Sequence, residues 1–350
     1  MQTFADYMEQ ALYGSDGYYS SGTAKSGKTG DYFTAPDVGP IFGRLLAEIF
    51  RSWKDKLRVD PFTLIEAGAG EGRLTRDILT VQRFPFVAIE RSVSRLNRLK
   101  ELQKDFPQLD VCPDFEELAK HPREGVLFGN ELIDAFPVHR VRMKNRRLEE
   151  AYMIGSAISW APPSTTRLQS YFDRLGITLP EEYETEVNLA MSDWLREAAR
   201  AFRKGLVVLI DYGRPAWEYY APERTRGTLR AFSKHKVSAN FLGPDGKVDL
   251  TADVDFTSLA LDARETGLVP LAFMEMGSFL MMGIQGIAGT RPAPPGLKYL
   301  LHPEGLGTAF HVLILGKNIN SSEWTFEHNR IARLGLGRTA VRPYTSDDPG

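Results

Sequence analysis

Leu64-Ile65-Glu66-Ala67-Gly68-Ala69-Gly70-Glu71-Gly72 is the stretch that decides the fold. An apolar run ends in an acid, and glycine then occupies every second position: the pattern of a buried strand that leaves its carboxyl end through a tight turn into a helix. Gly68, Gly70 and Gly72 permit backbone conformations that a side chain resists and remove Cβ atoms where a ligand must approach. The helix expected from Arg73 then presents unpaired N–H groups toward the turn. Twenty positions after Gly70, Glu90 closes the next apolar run, FVAIE, where an acid can take both hydroxyls of a ribose. A dinucleotide site would need its third glycine at position 73, which is Arg73. The shorter G-x-G-x-G, with Glu66 before it and Glu90 after it, suits a cofactor with no pyrophosphate to cradle, namely S-adenosyl-L-methionine. A bare structural turn and a dinucleotide site are the competing readings.

Outward from this turn, short apolar runs alternate with helical segments: FTLIE, a helix from Arg73, FVAIE, a helix from Ser94, LDVC and VLFGN. Such alternation predicts an α/β fold with a parallel sheet and crossover helices; together with the glycine turn and its flanking acids, the expectation is a Rossmann-like class I methyltransferase sheet. Asp114 follows the third strand, where it can reach an adenine amino group or simply cap the helix before Phe115. The segment VHRVRMKNRRLEEAYMIG reads as a β-hairpin turning near Asn145, and a polar insertion follows from about Ala161 to Asn188. A helix around Trp194 to Phe202 leads into the fifth strand, LVVLIDYG. Arg214 to Asp249 reads mostly as loop, and LAFMEMG and FHVLILGK are placed to complete the sheet. Upstream, Phe4, Tyr7, Met8, Ala11 and Leu12 keep helical spacing, and a second amphipathic helix runs from Ile41 to Leu57 behind Pro40. The predicted organisation is a helical and loop extension over 1–60, a methyltransferase domain over 61–318 with large insertions after strands 4 and 5 (139–193 and 214–250), and a poorly ordered tail over 319–350.

Composition narrows the function classes. Among 350 residues Cys112 is the only cysteine, so an internal disulfide and a zinc cluster of cysteines are both excluded, and a reducing, cytoplasmic setting is expected. The start MQTFADYMEQALYG lacks the basic and apolar regions of a signal peptide, and no run is apolar over about 18 residues, so membrane insertion is not expected. A net charge of −2 provides no field to draw nucleic acid. Five basic residues from Arg140 to Arg147 form the local exception, read as a solvated hairpin face or as a docking patch. Gly22 to Thr29 satisfies G-x-x-x-x-G-K-[ST], which would suggest nucleoside triphosphate hydrolysis. A phosphate loop must follow a buried strand and open a helix, whereas Tyr18-Tyr19-Ser20-Ser21 precede this one and Gly30-Asp31 follow it.

Several stretches together resemble the MidA-like methyltransferase family. They are FADYMEQALYGSDGYY from Phe4, GDYFTAPDVGPIFG from Gly30, EAGAGEGRLTRDIL from Glu66, NELIDAFPVHRV from Asn130, IDYG from Ile210, GTLRAFSKH from Gly227, DLTADVDF from Asp249, and Met276-Gly277. Ala69 stands where the family usually has proline, and Ala35 and Asp37 replace a serine and a glutamate. The resemblance implies binding of S-adenosyl-L-methionine and, from relatives that act in assembly of respiratory complex I, methylation of an arginine on a partner protein.

A guanidinium arrives charged, because its pKa lies above about 12, so carboxylates must fix it and stabilise the cation. Glu131 and Asp134, just past the fourth strand, are the expected pair, with Asn130 orienting acceptor or cofactor. Asp211 and Tyr212 are expected to line the same crevice, and His235 is a candidate proton acceptor. The cofactor-binding set is Glu66, Gly68, Gly70, Gly72, Glu90 and Asp114. The plainer alternatives are a helix-start charge for Glu131, a cap for Asp134, and loop packing for His235; His139 is placed in the hairpin. Tyr18, Tyr19, Tyr32 and Phe33 read as an aromatic wall over the cofactor or as ordinary core. A non-catalytic assembly protein with a vestigial cofactor pocket is the alternative of a different class.

Overall fold

The computed structural model describes residues 1–21, 34–233, 236–238, 248–287 and 293–336. The strands of its central sheet are β1 (Thr63–Ala67), β2 (Phe86–Ile89), β3 (Leu109–Cys112), β4 (Arg123–Asn130), β5 (Phe202–Arg214), β6 (Val269–Glu275) and β7 (Phe310–Lys317), in the spatial order β6-β7-β5-β4-β1-β2-β3. A two-residue strand, Val254–Asp255, pairs with the end of β5. Strands β1 to β5 are parallel, and β7 lies antiparallel between β5 and β6. LAFMEMG and FHVLILGK thus complete the sheet. The chain walks from β1 outward to β3 and returns to the other side of β1 as β4. That reversal opens a crevice beyond the carboxyl ends of β1 and β4, where ligands of such sheets bind.

The central stretches of the strands are apolar because both sheet faces are covered. Alternation sends Leu64, Phe128 and Val208 to one face and Ile65, Leu127 and Val207 to the other. The first face receives the helix Ile41–Leu57 through Phe42, Leu45, Leu46, Ile49 and Phe50, the last with its ring centroid 5.1 Å from that of Phe128. The second face receives the helices Ala190–Ala201 and Phe256–Glu265. The N-terminal helix, Phe4–Tyr13, starts at a capping box in which Thr3 and Asp6 exchange hydrogen bonds, and packs with Val138, Ala151 and Leu250.

Three expectations change. The hairpin turns at Asn145 and Arg146, both left-handed, but it belongs to a second antiparallel sheet with Gln2–Thr3, Ala157–Ala161 and Glu184–Val187. Three of its five basic residues are paired with acids, Arg140 with Glu184, Arg142 with Glu149 and Lys144 with Glu182. The segment read as mostly loop contains a helix, Ala216–Tyr219, and a small sheet of Arg230–Ser233, Lys236–Ser238 and Asp249–Thr251. Strands of three or four residues are too short to establish an alternation in sequence. The tail is also ordered as far as the described residues reach, because Trp324 and Phe326 pack edge-on against Trp53 at 6.1 Å and Leu334 is buried. Among the described residues no helix is long and apolar enough to cross a membrane.

Candidate active site

At the carboxyl ends of β1 to β5 lies a cavity of about 750 Å³. One wall is the glycine turn. Gly68, Gly70 and Gly72 have φ of 71°, 58° and 76°, in the left-handed region that favours glycine. Their reasons differ. A Cβ at Gly68 would stand 2.7 Å from Leu132 Cδ1 and one at Gly72 2.7 Å from Leu99 Cδ2, whereas one at Gly70 would meet nothing within 4 Å. Gly70 therefore faces open cavity, and its neighbours satisfy packing. The Gly70 amide donates to Glu90 Oε2 at 2.8 Å and the Ser92 amide to Glu90 Oε1 at 2.8 Å. Glu90 is thereby fixed at the end of β2, each oxygen keeping a lone pair for a further donor.

Glu66, buried at the end of β1, accepts the Thr75 hydroxyl at 2.5 Å; burial pushes its carboxyl up to about 8 against that hydrogen bond. Asp114 caps the helix Phe115–Ala119 by accepting the Glu117 amide at 2.8 Å, as one of its two readings had it, and it also lines the cavity.

The opposite wall is the turn after β4. Glu131 sits at φ 49°, its amide donating to Ile210 O at 2.9 Å. Its Oε1 accepts from the Ala35 amide and from Asn130 Nδ2, both at 3.1 Å. The departure at Ala35 is thus immaterial to this contact, which uses backbone. Asn130 Oδ1 is buried without a partner. Burial, then the charge of Asp134, raises the Glu131 carboxyl to about 8; burial, then Asp211 and Asp249, raises Asp134, with Arg230 opposing.

The structure brings Glu66, Gly68, Gly70, Glu90, Asp114, Asn130, Glu131, Asp134 and Tyr212 to this one cavity, whereas Gly72 packs behind it. Asp211 is a correction. Instead of lining the crevice, it turns its carboxylate inward beneath the turn after β4. His235, Tyr32, Phe33 and the segment Gly22 to Thr29 lie outside the described residues. Tyr18 is core, and the aromatic wall is formed by Tyr13 and Tyr19, stacked at 5.5 Å, with Arg91 and Arg95 over their rings. His139 stands in the second sheet, 2.7 Å from buried Glu150.

Sequence reasoning missed Asp249 and Arg230 as cavity residues. Asp249 accepts the Tyr19 hydroxyl at 2.6 Å, and Arg230 pairs with Asp253. Both lie in stretches that carry the family resemblance, the one signal that could have pointed to them.

The open volume at Gly70, the anchored Glu90 and the unpartnered Asn130 Oδ1 fit S-adenosyl-L-methionine, an adenosyl group with a polar amino-acid end. Residues 41–274 match the model of a family described as "Putative S-adenosyl-L-methionine-dependent methyltransferase". The chain is 26% identical to the mitochondrial protein arginine methyltransferase NDUFAF7 homolog of Drosophila melanogaster and 25% identical to protein arginine methyltransferase NDUFAF7 of Mus musculus, in each case over 89% of this chain and 80% of the relative. It is similar in structure to a Burkholderia thailandensis protein crystallised with S-adenosyl-homocysteine, with a TM-score of 0.79 and 26% identity, covering 91% of this chain and 88% of the other.

Proposed function

Since the chain belongs to this family of S-adenosyl-L-methionine-dependent methyltransferases, we propose that it methylates an arginine side chain of a partner protein. The observation that carries the arginine reading is the group of carboxylates, half-buried Glu131 with buried Asp134 and Asp249, lining the same cavity as the glycine turn. Burial raises the Glu131 and Asp134 carboxyls above the usual carboxylate range, and a planar cation with several donors favours their charged forms. The arginine methyltransferase relatives support the same reading.

The bound cofactor supplies an electrophilic sulfonium methyl group. In the proposed reaction Glu131 and Asp134 hold the guanidinium fork in line with that methyl and stabilise the cation. One of them takes the proton that leaves the methylated nitrogen. The Ala35 amide and Asn130 Nδ2 fix Glu131 in place, so its carboxylate needs no rearrangement as charge moves. Glu66, Gly70, Glu90 and Asp114 are the proposed cofactor contacts, with Gly68 and Gly72 shaping the turn. A subunit of a respiratory complex is the partner class that the family resemblance puts forward, and the cytoplasm is the proposed compartment, on the lone cysteine.

The test is transfer of labelled methyl from S-adenosyl-L-methionine to lysate protein, followed by acid hydrolysis and identification of the modified amino acid. Methyl-arginine is expected. Label only in methyl-lysine or in a small molecule would overturn the arginine reading, and cofactor binding without transfer would favour the assembly-protein reading.

A further inference from the structure

Asp211 follows the apolar run Leu206 to Ile210 of β5, is 1% exposed, and does not line the cavity. Its Oδ2 accepts three consecutive amides from the neighbouring strand end: Leu132 at 3.1 Å, Ile133 at 2.8 Å and Asp134 at 3.3 Å. Its Oδ1 accepts the Tyr212 amide at 2.9 Å. Four N–H groups thus converge on one buried carboxylate, and three of them belong to the turn that carries Glu131 and Asp134. Other contacts reach the turn singly, such as Asn188 Nδ2 donating to Ile133 O at 3.3 Å and the Ile133 side chain buried in the core, whereas Asp211 gathers three of its amides at once. Glu131 adopts a left-handed φ of 49° without being glycine, a conformation that persists only where surrounding structure over-determines it. Glu131 N–H to Ile210 O at 2.9 Å and Ala252 N–H to Asp134 O at 2.9 Å are its backbone anchors on either side.

We propose that Asp211 is a positioning residue for methyl transfer, an internal anion that gathers the amides of Leu132, Ile133 and Asp134 and so sets where the Glu131 and Asp134 carboxylates stand. The inference rests on the acceptor role proposed for those two residues. Its charge also acts on them directly. Asp211 is the foremost charge raising Asp134 after burial itself, and its own carboxyl, pushed up to about 7 by burial, is pulled back by the Ile133, Tyr212 and Asp134 amides. The other charges facing Asp134 are Asp249, which raises it, and Arg230, which lowers it; Glu131 faces both Asp211 and Asp134. An asparagine at 211 keeps the shape and one acceptor but presents an NH₂ group and no charge to the converging amides. The geometry of the turn and the titration of its carboxylates should therefore change together.

The experiment compares the full-length wild type with Asp211→Asn in three measurements: calorimetric titration with S-adenosyl-homocysteine, hydrogen exchange of the amides at 132–134, and the pH profile of labelled-methyl transfer to lysate protein. Displacing a reacting group by about 1 Å costs on the order of 100-fold in rate, and a loss of that size is expected in Asp211→Asn. Cofactor affinity should be retained, exchange at 132–134 should accelerate, and the acidic limb of the transfer profile should move to lower pH because the like charge beside Asp134 is gone. A purely structural aspartate would lower stability and leave that limb in place. Transfer at the wild-type rate with an unmoved limb overturns the proposal. If Asp211→Asn does not fold, the wild type still decides: amides at 132–134 that exchange as freely as exposed ones contradict the hydrogen bonds on which the proposal stands. If the wild type transfers no methyl to arginine, the acceptor reading fails by itself, while amide protection continues to test Asp211 as the anchor of the turn.

Discussion

Two turns face each other across the cavity, each leaving the carboxyl end of a parallel strand, and they solve the same backbone problem by different means. The turn after β1 reaches left-handed φ at Gly68, Gly70 and Gly72, the residue type for which that conformation costs least. The turn after β4 reaches it at Glu131, a residue with a side chain to present, and is held by an aspartate from the adjacent strand. The first turn removes side chains so that a ligand can lie against backbone. The second spends conformational strain to place carboxylates. The difference separates a turn suited to binding a cofactor from one suited to gripping a cationic acceptor.

The comparison breaks most visibly at Glu131. Removing one carboxylate from a buried charged contact costs about 2–5 kcal/mol, so Glu131→Gln should lose about tenfold or more in turnover in a methyl-transfer assay. The same variant has a signature in stability. Glu131 holds its proton up to about 8 in the folded chain, against an ordinary value of 4.5. The native state thus binds more protons than the unfolded state between those values, and this group's contribution makes stability fall as pH rises through that window. Urea midpoints measured from pH 5 to 8 should decline less steeply in Glu131→Gln; an unchanged slope would mean that the carboxyl is not held in a buried, unneutralised setting.

A smaller effect sharpens the distinction among the glycines themselves. Gly72 lies at φ 76° with Leu99 Cδ2 2.7 Å from where a Cβ would stand. Gly72→Ala should cost about 1–3 kcal/mol of stability through strain and crowding, read as a lowered thermal midpoint, with affinity for S-adenosyl-homocysteine nearly unchanged. Lost affinity at an unchanged midpoint would place Gly72 in the cavity instead of behind it.

The contrast also explains what could be read in advance. The glycine turn and Glu90 were legible because strand, turn and acid lie within about thirty residues and their spacing is local. Glu131 and Asp134 were legible as acids following a strand. Their surroundings were not. The Glu131 carboxylate takes one of its two hydrogen bonds from Ala35, 96 positions away, and Asp249 is met by Tyr19 across 230 positions. Asp211 was noticed as a strand-end acid, yet whether it faces cavity or interior depends on where the β4 turn lies against β5, which no single-strand pattern encodes. A parallel sheet with crossover helices was legible in the alternation of strands and helices. The small sheet containing Arg230 and Asp249 was not, because its strands are short and pair across loops.

The most direct test of the division between the two turns is calorimetric titration of S-adenosyl-homocysteine into Gly70→Asn and Glu131→Gln. Asparagine tolerates left-handed backbone, so the fold should survive while its side chain enters the open space at Gly70. Gly70→Asn is expected to lose detectable binding and Glu131→Gln to bind as the wild type does. Wild-type affinity in a folded Gly70→Asn, or loss of affinity in Glu131→Gln, would contradict that division.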